Sequence, residues 1–519
     1  MAKKGNTMIK HNKILEKKNK ELTEQLTMAL DQIQYLQEQL FSIQRQMYGR
    51  KKEDTPFVDG QTNLFDKESF NEPEHTGQES QETIEVKGFR RTKSKGKKAL
   101  SLSRLPENHH HYRLEGEACL CEACGSDMID IGSMVVREEP LFIPAHIEKN
   151  VFHQHAYKCH ACEKENDTTV IKKAPVPKPL INNSFGSPTM VAQTMIEKYV
   201  KKVPAYRQEN EWKAFGFPLD RQKIINWHLL ATEYVLAPLY EVLKQELQKQ
   251  RVLHADETPY RVIDARNEKT HFWVYLSGKS EKYPIILYQH ELSRKHELPQ
   301  QFLRDFTGYL HSDGYTAYGK LGDVKNAYCW AHVRRKFHEA IGSQPSKYSH
   351  ALTGEKYCNL LFKEERKLAH LDANERQEQR KRWIKPIVEE FFSWAETLFV
   401  LPNSKLGKAI EYALNYKEGL CIFLEEGRLE LSNNRAERAI KELVIGRKNW
   451  LFSKSEQGAK SSGIILSILR TAIANGLDPR RYLIHLFEKI PNLSSQTPAT
   501  IAAYLPWNET VQANCRANY

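Results

Sequence analysis

Between Leu15 and Met47 apolar residues recur at alternating spacings of three and four. Leu15, Leu22, Ala29, Leu36 and Ile43 form one series, and Asn19, Leu26, Ile33, Leu40 and Met47 the other. Such a seam, sustained over more than four heptads with Lys, Glu and Gln around it, predicts a coiled coil over 10–50. The polar Asn19 would set register and strand number at some cost in stability. A lone amphipathic helix packed on the rest of the chain is the alternative. The pattern then lapses: Glu53 to Glu85 holds ten acidic residues against one lysine, and Lys87 to Lys98 holds basic residues with no acid among them. Residues 51–100 are therefore expected to be a disordered linker, acidic and then basic.

Helical periodicity returns in three short pieces, about Thr189 to Val200, Pro204 to Phe215, and from Asp220 onward. Pro204 suits a first helical position, Gly216 a C-terminal cap and Asp220 an N-cap. This 185–248 module fits a helix-turn-helix whose recognition helix opens with Arg221, Gln222 and Lys223, which makes Arg221 and Lys223 candidate DNA contacts. An ordinary helical connector fits equally well. From Arg251 the period changes to strands: Arg251–Asp256, Thr270–Leu276 and Pro284–Tyr288, spaced for an antiparallel meander. A helical stretch near Pro299 to Arg304, a strand Gly308–Asp313 and a strand Asn326–Trp330 running into helical Ala331–Phe337 complete a first part, 249–340. A helix-rich insertion over 341–428 separates it from a second part, 429–490, and a tail, 491–519. In that second part Ser432 or Asn433 can cap a helix carrying Glu437, with Lys441 one turn further on the same side.

Length and charge sharpen this outline. The 519 residues allow three or four domains. The net charge of +12, from 77 basic and 65 acidic residues, favours a polyanionic partner. No run approaches the ~18 apolar residues of a membrane helix, and Met1-Ala-Lys-Lys-Gly lacks the apolar run of a signal peptide, so a cytoplasmic protein with no membrane partner is expected. In that setting the nine cysteines are better read as thiols or metal ligands than as disulfides. Cys121 and Cys124 form one CxxC knuckle and Cys159 and Cys162 a second; four soft sulfurs suit one tetrahedral, structural Zn2+ in a module over 101–175. Cys119 is a spare that could replace Cys121. A closed four-cysteine site has no open position for catalysis.

Catalytic chemistry is suggested by carboxylates. Two strands finish in aspartate, in His254-Ala-Asp256-Glu-Thr and His311-Ser-Asp313-Gly-Tyr. If the first and fourth strands lie side by side, Asp256 and Asp313 converge as hard oxygen ligands of the kind magnesium prefers, and Glu437 could complete a three-carboxylate site. Their order on a strand-strand-strand-helix-strand pattern is the layout of a ribonuclease-H-like nuclease core. The expected fold is thus multidomain α/β: a ribonuclease-H-like core with a helical insertion, preceded by a coiled coil, a four-cysteine zinc module and a helix-turn-helix-like module.

The chain also resembles the bacterial transposases of the insertion sequence 66 family. The resemblance runs through His254-Ala-Asp-Glu-Thr-Pro259, Ser312-Asp-Gly-Tyr315, Cys329-Trp-Ala-His-Val-Arg-Arg-Lys-Phe337, Asn433-Asn-Arg-Ala-Glu-Arg438 and Gly446-Arg-Lys-Asn-Trp-Leu-Phe452. It departs at Ser432, where many members have aspartate; both residues can cap a helix. The resemblance implies a DDE transposase with Asp256, Asp313 and Glu437 as its metal-binding triad, holding two Mg2+ or Mn2+ ions. Glu257, next to Asp256, should point to the opposite face of its strand. The implied reaction is cleavage at transposon ends and strand transfer into target DNA. Partners would be both DNAs, a second copy through the coiled coil, and accessory proteins of the same element, in a bacterial, nucleoid-associated setting. A non-catalytic DNA-binding regulator and a ribonuclease-H-like nuclease without strand transfer are the rival readings. His332, in a Cys-x-x-His pair with Cys329, could contact phosphate or simply pack, and two ligands alone make a poor zinc site. Arg334, Arg335, Arg438, Lys441, Arg447 and Lys448 are candidate phosphate contacts around the core.

Overall fold

The computed structural model describes Lys18 and residues 147–158, 171–266, 269–315, 317–342 and 349–517. The expected coiled coil apart from Lys18, the linker, and the four zinc-ligand candidates Cys121, Cys124, Cys159 and Cys162 lie outside these residues. The chain divides into two units, His75–His153 and the remainder; the elements below all belong to the remainder. Two short strands, β1 (Ala156–Lys158) and β2 (Ile171–Lys173), pair antiparallel.

Three helices form in the expected order, with Pro204 standing at the N-cap of the second rather than at its first helical position. Helix α1 (Pro188–Met195) continues through a π-helical turn to Val200, and α2 (Ala205–Ala214) ends before Gly216, whose φ of +74° needs no Cβ. In α3 (Arg221–Ala231) the Asp220 side chain caps the helix by accepting the Lys223 N–H at 2.8 Å. Both α1 and α2 pack against α3. The buried face of α3, with Ile224, Trp227 and His228, turns inward and leaves Arg221 and Lys223 exposed. Helix α4 (Ala237–Gln248) leads on to a sheet.

The sheet has five strands: β3 (Val252–Tyr260), β4 (Thr270–Ser277), β5 (Ile286–Glu291), β6 (Tyr309–Ser312) and β7 (Lys325–Tyr328), with a short helix α5 (Glu297–Phe302) between β5 and β6. Their spatial order is β5-β4-β3-β6-β7. The first three pair antiparallel, while β6 and β7 are added parallel to β3. One expectation needs correction. Asp256 does not end its strand, because antiparallel pairing with β4 carries β3 on to Tyr260↔Thr270; only the parallel pairing with β6 stops early, at His254↔His311.

Helix α6 (Trp330–Glu339) follows β7, and the insertion supplies α7 (His350–Lys367), α8 (Ala373–Gln379), α9 (Lys385–Thr397), α10 (Lys405–Asn415) and α11 (Lys417–Cys421). All of these helices except α8 share one apolar core with β7, built around Trp330, Phe337, Phe391 and Phe423. Helix α12 (Asn434–Trp450) lies on β3 and β4, and α13 (Glu456–Ala474) on β5. Edge strand β5 is capped by α13: Ser467 Oγ accepts the Tyr288 N–H at 2.7 Å and Thr471 Oγ1 accepts the Ile286 N–H at 3.0 Å. This satisfies edge donors that would otherwise invite another strand. Gly463 permits the approach, since a Cβ there would stand 2.9 Å from the Tyr288 carbonyl oxygen. Helices α14 (Pro479–Lys489), α15 (Pro498–Ala502) and α16 (Glu509–Cys515) close the chain. No helix among the described residues is long and apolar enough to cross a membrane.

Candidate active site

Strands β3 and β6 run parallel with His254 opposite His311. The aspartates each lie two residues further on, Asp256 within β3 and Asp313 in the bend just past the end of β6. The two imidazoles stack with centroids 5.0 Å apart. Asp256 Oδ1 accepts the Glu257 N–H at 2.8 Å, and Asp313 Oδ1 accepts the Tyr315 N–H at 3.0 Å. Burial drives the Asp256 carboxyl well above the ordinary carboxylate range, and the negative charges of Asp313, Glu257 and Glu437 push it further the same way. A buried carboxylate surrounded by other carboxylates is a donor set suited to a hard divalent cation.

Glu257 has a different occupation. Its carboxylate is gripped by the Arg294 guanidinium and accepts the Tyr318 hydroxyl at 2.8 Å, so both oxygens already have partners. Burial nevertheless raises its pKa, and Asp313 adds to the shift.

Glu437 stands in the first turn of α12, where the helix dipole favours an acid. The start of that helix is latched to the sheet by Asn433. Its side-chain amide donates to the Ala255 carbonyl at 2.9 Å, its Oδ1 meets His254 Nδ1 at 2.9 Å, and its own N–H donates to Cys329 Sγ at 3.1 Å. Asn433 does occupy the N-cap position, but its side chain makes no capping bond. Buried strand groups take it instead, because they have no water to turn to. His254 Nε2 lies 2.9 Å from Glu430. Burial opposes ionisation of Glu430, yet His254, Arg435 and His311 together hold its carboxyl down, to about 2.

The Cys-x-x-His pair meets the third acid. Cys329 precedes α6, His332 lies in its first turn, and one ligand atom each from Cys329, His332 and Glu437 falls within 4.8 Å of the others. His332 Nε2 is 3.6 Å from Glu437 Oε1, while Arg335 reaches Glu437 Oε2 at 3.3 Å. Burial lowers the His332 pKa to about 4, against the pull of Glu437.

A family model described as Transposase IS66 family matches residues 183–461, a span that contains Asp256, Asp313, Cys329, His332 and Glu437. The chain belongs to this family. Two similar proteins of Sinorhizobium fredii (strain NBRC 101917 / NGR234), the uncharacterized proteins y4hP and y4jD, are each 27% identical to it. The first aligns over 75% of this chain and 73% of its own, the second over 79% and 82%. A third from that strain, the uncharacterized protein y4qI, is 30% identical over 65% of each chain.

In this member of the transposase family the helical insertion reaches the second aspartate, which sequence reasoning missed. Tyr412 of α10 donates its hydroxyl to the Asp313 carbonyl at 2.7 Å. The next residue, Gly314, has φ +90° and faces the Tyr416 ring. Two tyrosines one helical turn apart were the available signal, but nothing local ties them to a strand 99 residues away.

The basic candidates divide. Arg438 and Lys448 are exposed on α12, and Lys441 is half-buried. Arg221 lies over the Tyr206 ring at 5.7 Å, and Lys223 over the Phe185 ring at 5.6 Å while paired with Asp220 at 3.1 Å. Arg334 faces the insertion, where it donates to Asn359 at 2.6 Å and lies 3.7 Å from Glu355. Arg335 is held on Glu437, and Arg447 donates to the Pro259 carbonyl. Those three arginines already have protein partners.

Proposed function

We propose that this chain is a DDE transposase with a ribonuclease-H-like core, in which Asp256, Asp313 and Glu437 form the catalytic triad. The observation that carries the reading is that Asp256 and Asp313 each follow by two residues the His254–His311 pair of the parallel strands, with the charges of Asp313 and Glu437 reaching Asp256. The three carboxylates would hold two Mg2+ or Mn2+ ions, which when bound supply activation of water or of a 3′ hydroxyl and stabilisation of the leaving 3′ oxygen. The protein's part is positional. Strand β3 fixes Asp256, the turn after β6 fixes Asp313, Asn433 fixes the helix of the glutamate, and Arg335 neutralises one side of that glutamate. No covalent bond from the protein to DNA is required.

Around this core the reading assigns terminal-repeat recognition to the 185–248 helices, with Arg221 and Lys223 facing DNA, and to a zinc module held by Cys121, Cys124, Cys159 and Cys162. It assigns pairing of subunits to the 10–50 coiled coil, since a reaction on two transposon ends favours at least a dimer. Accessory proteins of the same element would assist at the nucleoid.

The test incubates the protein with magnesium, a labelled terminal-repeat duplex and a target plasmid, beside Asp313→Asn. Joined product from the wild type alone is expected. Equal joining by the variant would remove the triad; cleavage without joining would favour a nuclease, and duplex binding with neither reaction in the wild type a regulator.

A further inference from the structure

We infer that Cys329, His332 and Glu437 form a second metal site, for a divalent transition ion of the zinc class, beside the two aspartates. It goes beyond the triad assignment and does not depend on it; because Arg335 holds Glu437 Oε2, the two sites would compete for Glu437 Oε1.

The site is made by two helix starts brought together. Cys329 and His332 are three residues apart at the beginning of α6, a spacing that puts both side chains on one side of the helix. The start of α12 is fastened to the same place: Asn433 N–H donates to Cys329 Sγ at 3.1 Å and Trp330 N–H to the Leu431 carbonyl at 3.0 Å. Glu437 is thereby carried in as a third ligand, which the sequence motif lacks.

The spacing suits an ion better than direct contact. His332 Nε2 and Glu437 Oε1 are 3.6 Å apart, long for a hydrogen bond. Two ligands each ~2.0–2.1 Å from a tetrahedral ion stand about 3.3 Å from one another. Glu437 Oε1, the oxygen facing His332 Nε2, is buried without a hydrogen-bond partner, a cost that native proteins usually avoid. Arg335 takes Glu437 Oε2 and leaves Oε1 for the ion. The backbone donor on Cys329 Sγ is the kind of outer contact that steadies a thiolate ligand. A sulfur, an imidazole and one carboxylate select zinc or cobalt over magnesium, with a fourth position left for water.

The experiment measures zinc per chain by elemental analysis on the full-length protein loaded with zinc and freed of excess, for wild type, Cys329→Ser, His332→Gln and Asp256→Asn. Cys329→Ser and His332→Gln are each expected to hold one equivalent fewer than wild type, and Asp256→Asn the same number as wild type. In the cobalt-loaded protein, thiolate-to-metal absorption should fall in Cys329→Ser by the share of one thiolate. The four-cysteine module contributes equally to every sample, so the difference reads this site alone. Thermal melts identify a misfolded variant, in which case the other variant decides. Equal zinc counts in wild type and the folded variants would overturn the inference. Failure of the triad would show instead as DNA cleavage surviving in Asp256→Asn, with the zinc counts unaffected.

Discussion

Asn433 and Ala255 are joined by a 2.9 Å hydrogen bond from the side-chain amide of one to the backbone carbonyl of the other, 178 residues apart in the chain. The bond ties the helix of Glu437 to the strand of Asp256, one residue before that aspartate. Asn433→Ala strands the Ala255 carbonyl and His254 Nδ1 in a buried site. A loss of about 2–3 kcal/mol in denaturant unfolding is expected, from unmade buried hydrogen bonds. Cleavage of a terminal-repeat duplex should fall about a hundredfold, the scale of a small displacement of a catalytic group. Wild-type cleavage in a folded Asn433→Ala protein would show that the latch does not position Glu437.

Asp256 sets a pH dependence. Its folded pKa lies above the unfolded value, so the folded chain holds this proton more tightly than the unfolded chain does. Its contribution to stability is therefore full below about pH 4, the unfolded value, and is lost as pH rises through the folded one. Asp256→Asn removes that loss. In magnesium-free buffer its Tm should exceed that of wild type at about pH 8, with the gap narrowing toward about pH 4. A gap independent of pH would contradict the burial argument.

Gly314 is required by its backbone. With φ +90° and the Tyr416 ring 3.1 Å from where a Cβ would stand, Gly314→Ala should cost about 1–3 kcal/mol in denaturant unfolding. Adding Tyr416→Ala would relieve the contact but not the dihedral, so the double variant should not recover wild-type stability.

Tyr412 links the insertion to the site. Tyr412→Phe deletes the donor to the Asp313 carbonyl and should cost about 1 kcal/mol. Single-turnover cleavage should slow several-fold while DNA affinity holds. Weakened DNA binding at an unchanged cleavage rate would instead place Tyr412 on the DNA path.

Arg438 and Arg447 should separate two roles. Exposed Arg438, replaced by alanine, should weaken DNA binding and lower the slope of log affinity against log salt by about 1. Arg447→Ala removes the donor to the Pro259 carbonyl, so it should lower Tm and leave the salt slope intact. Binding titrations across salt concentrations and thermal melts distinguish them.

What the sequence determined by itself was local. The switch from helical to strand periodicity at Arg251, the cap at Asp220 and the turn at Gly216 depend on neighbours within a few residues, and the structure forms them there. The order of the carboxylates along the chain was legible for the same reason, because each lies in a short motif of its own. Tertiary structure alone decided what met what. The parallel register of β3 and β6 pairs His254 with His311, two residues before Asp256 and Asp313, and no local pattern specifies which strands become neighbours. Asn433 could cap a helix on propensity, but buried strand groups compete for its amide and win. An arginine carries the same charge whether its partner is a phosphate or a glutamate, so only the packed chain shows Arg335 held on Glu437. The third candidate ligand beside Cys329 and His332 arrives from 105 residues further along, through contacts that exist only once both helix starts are packed together.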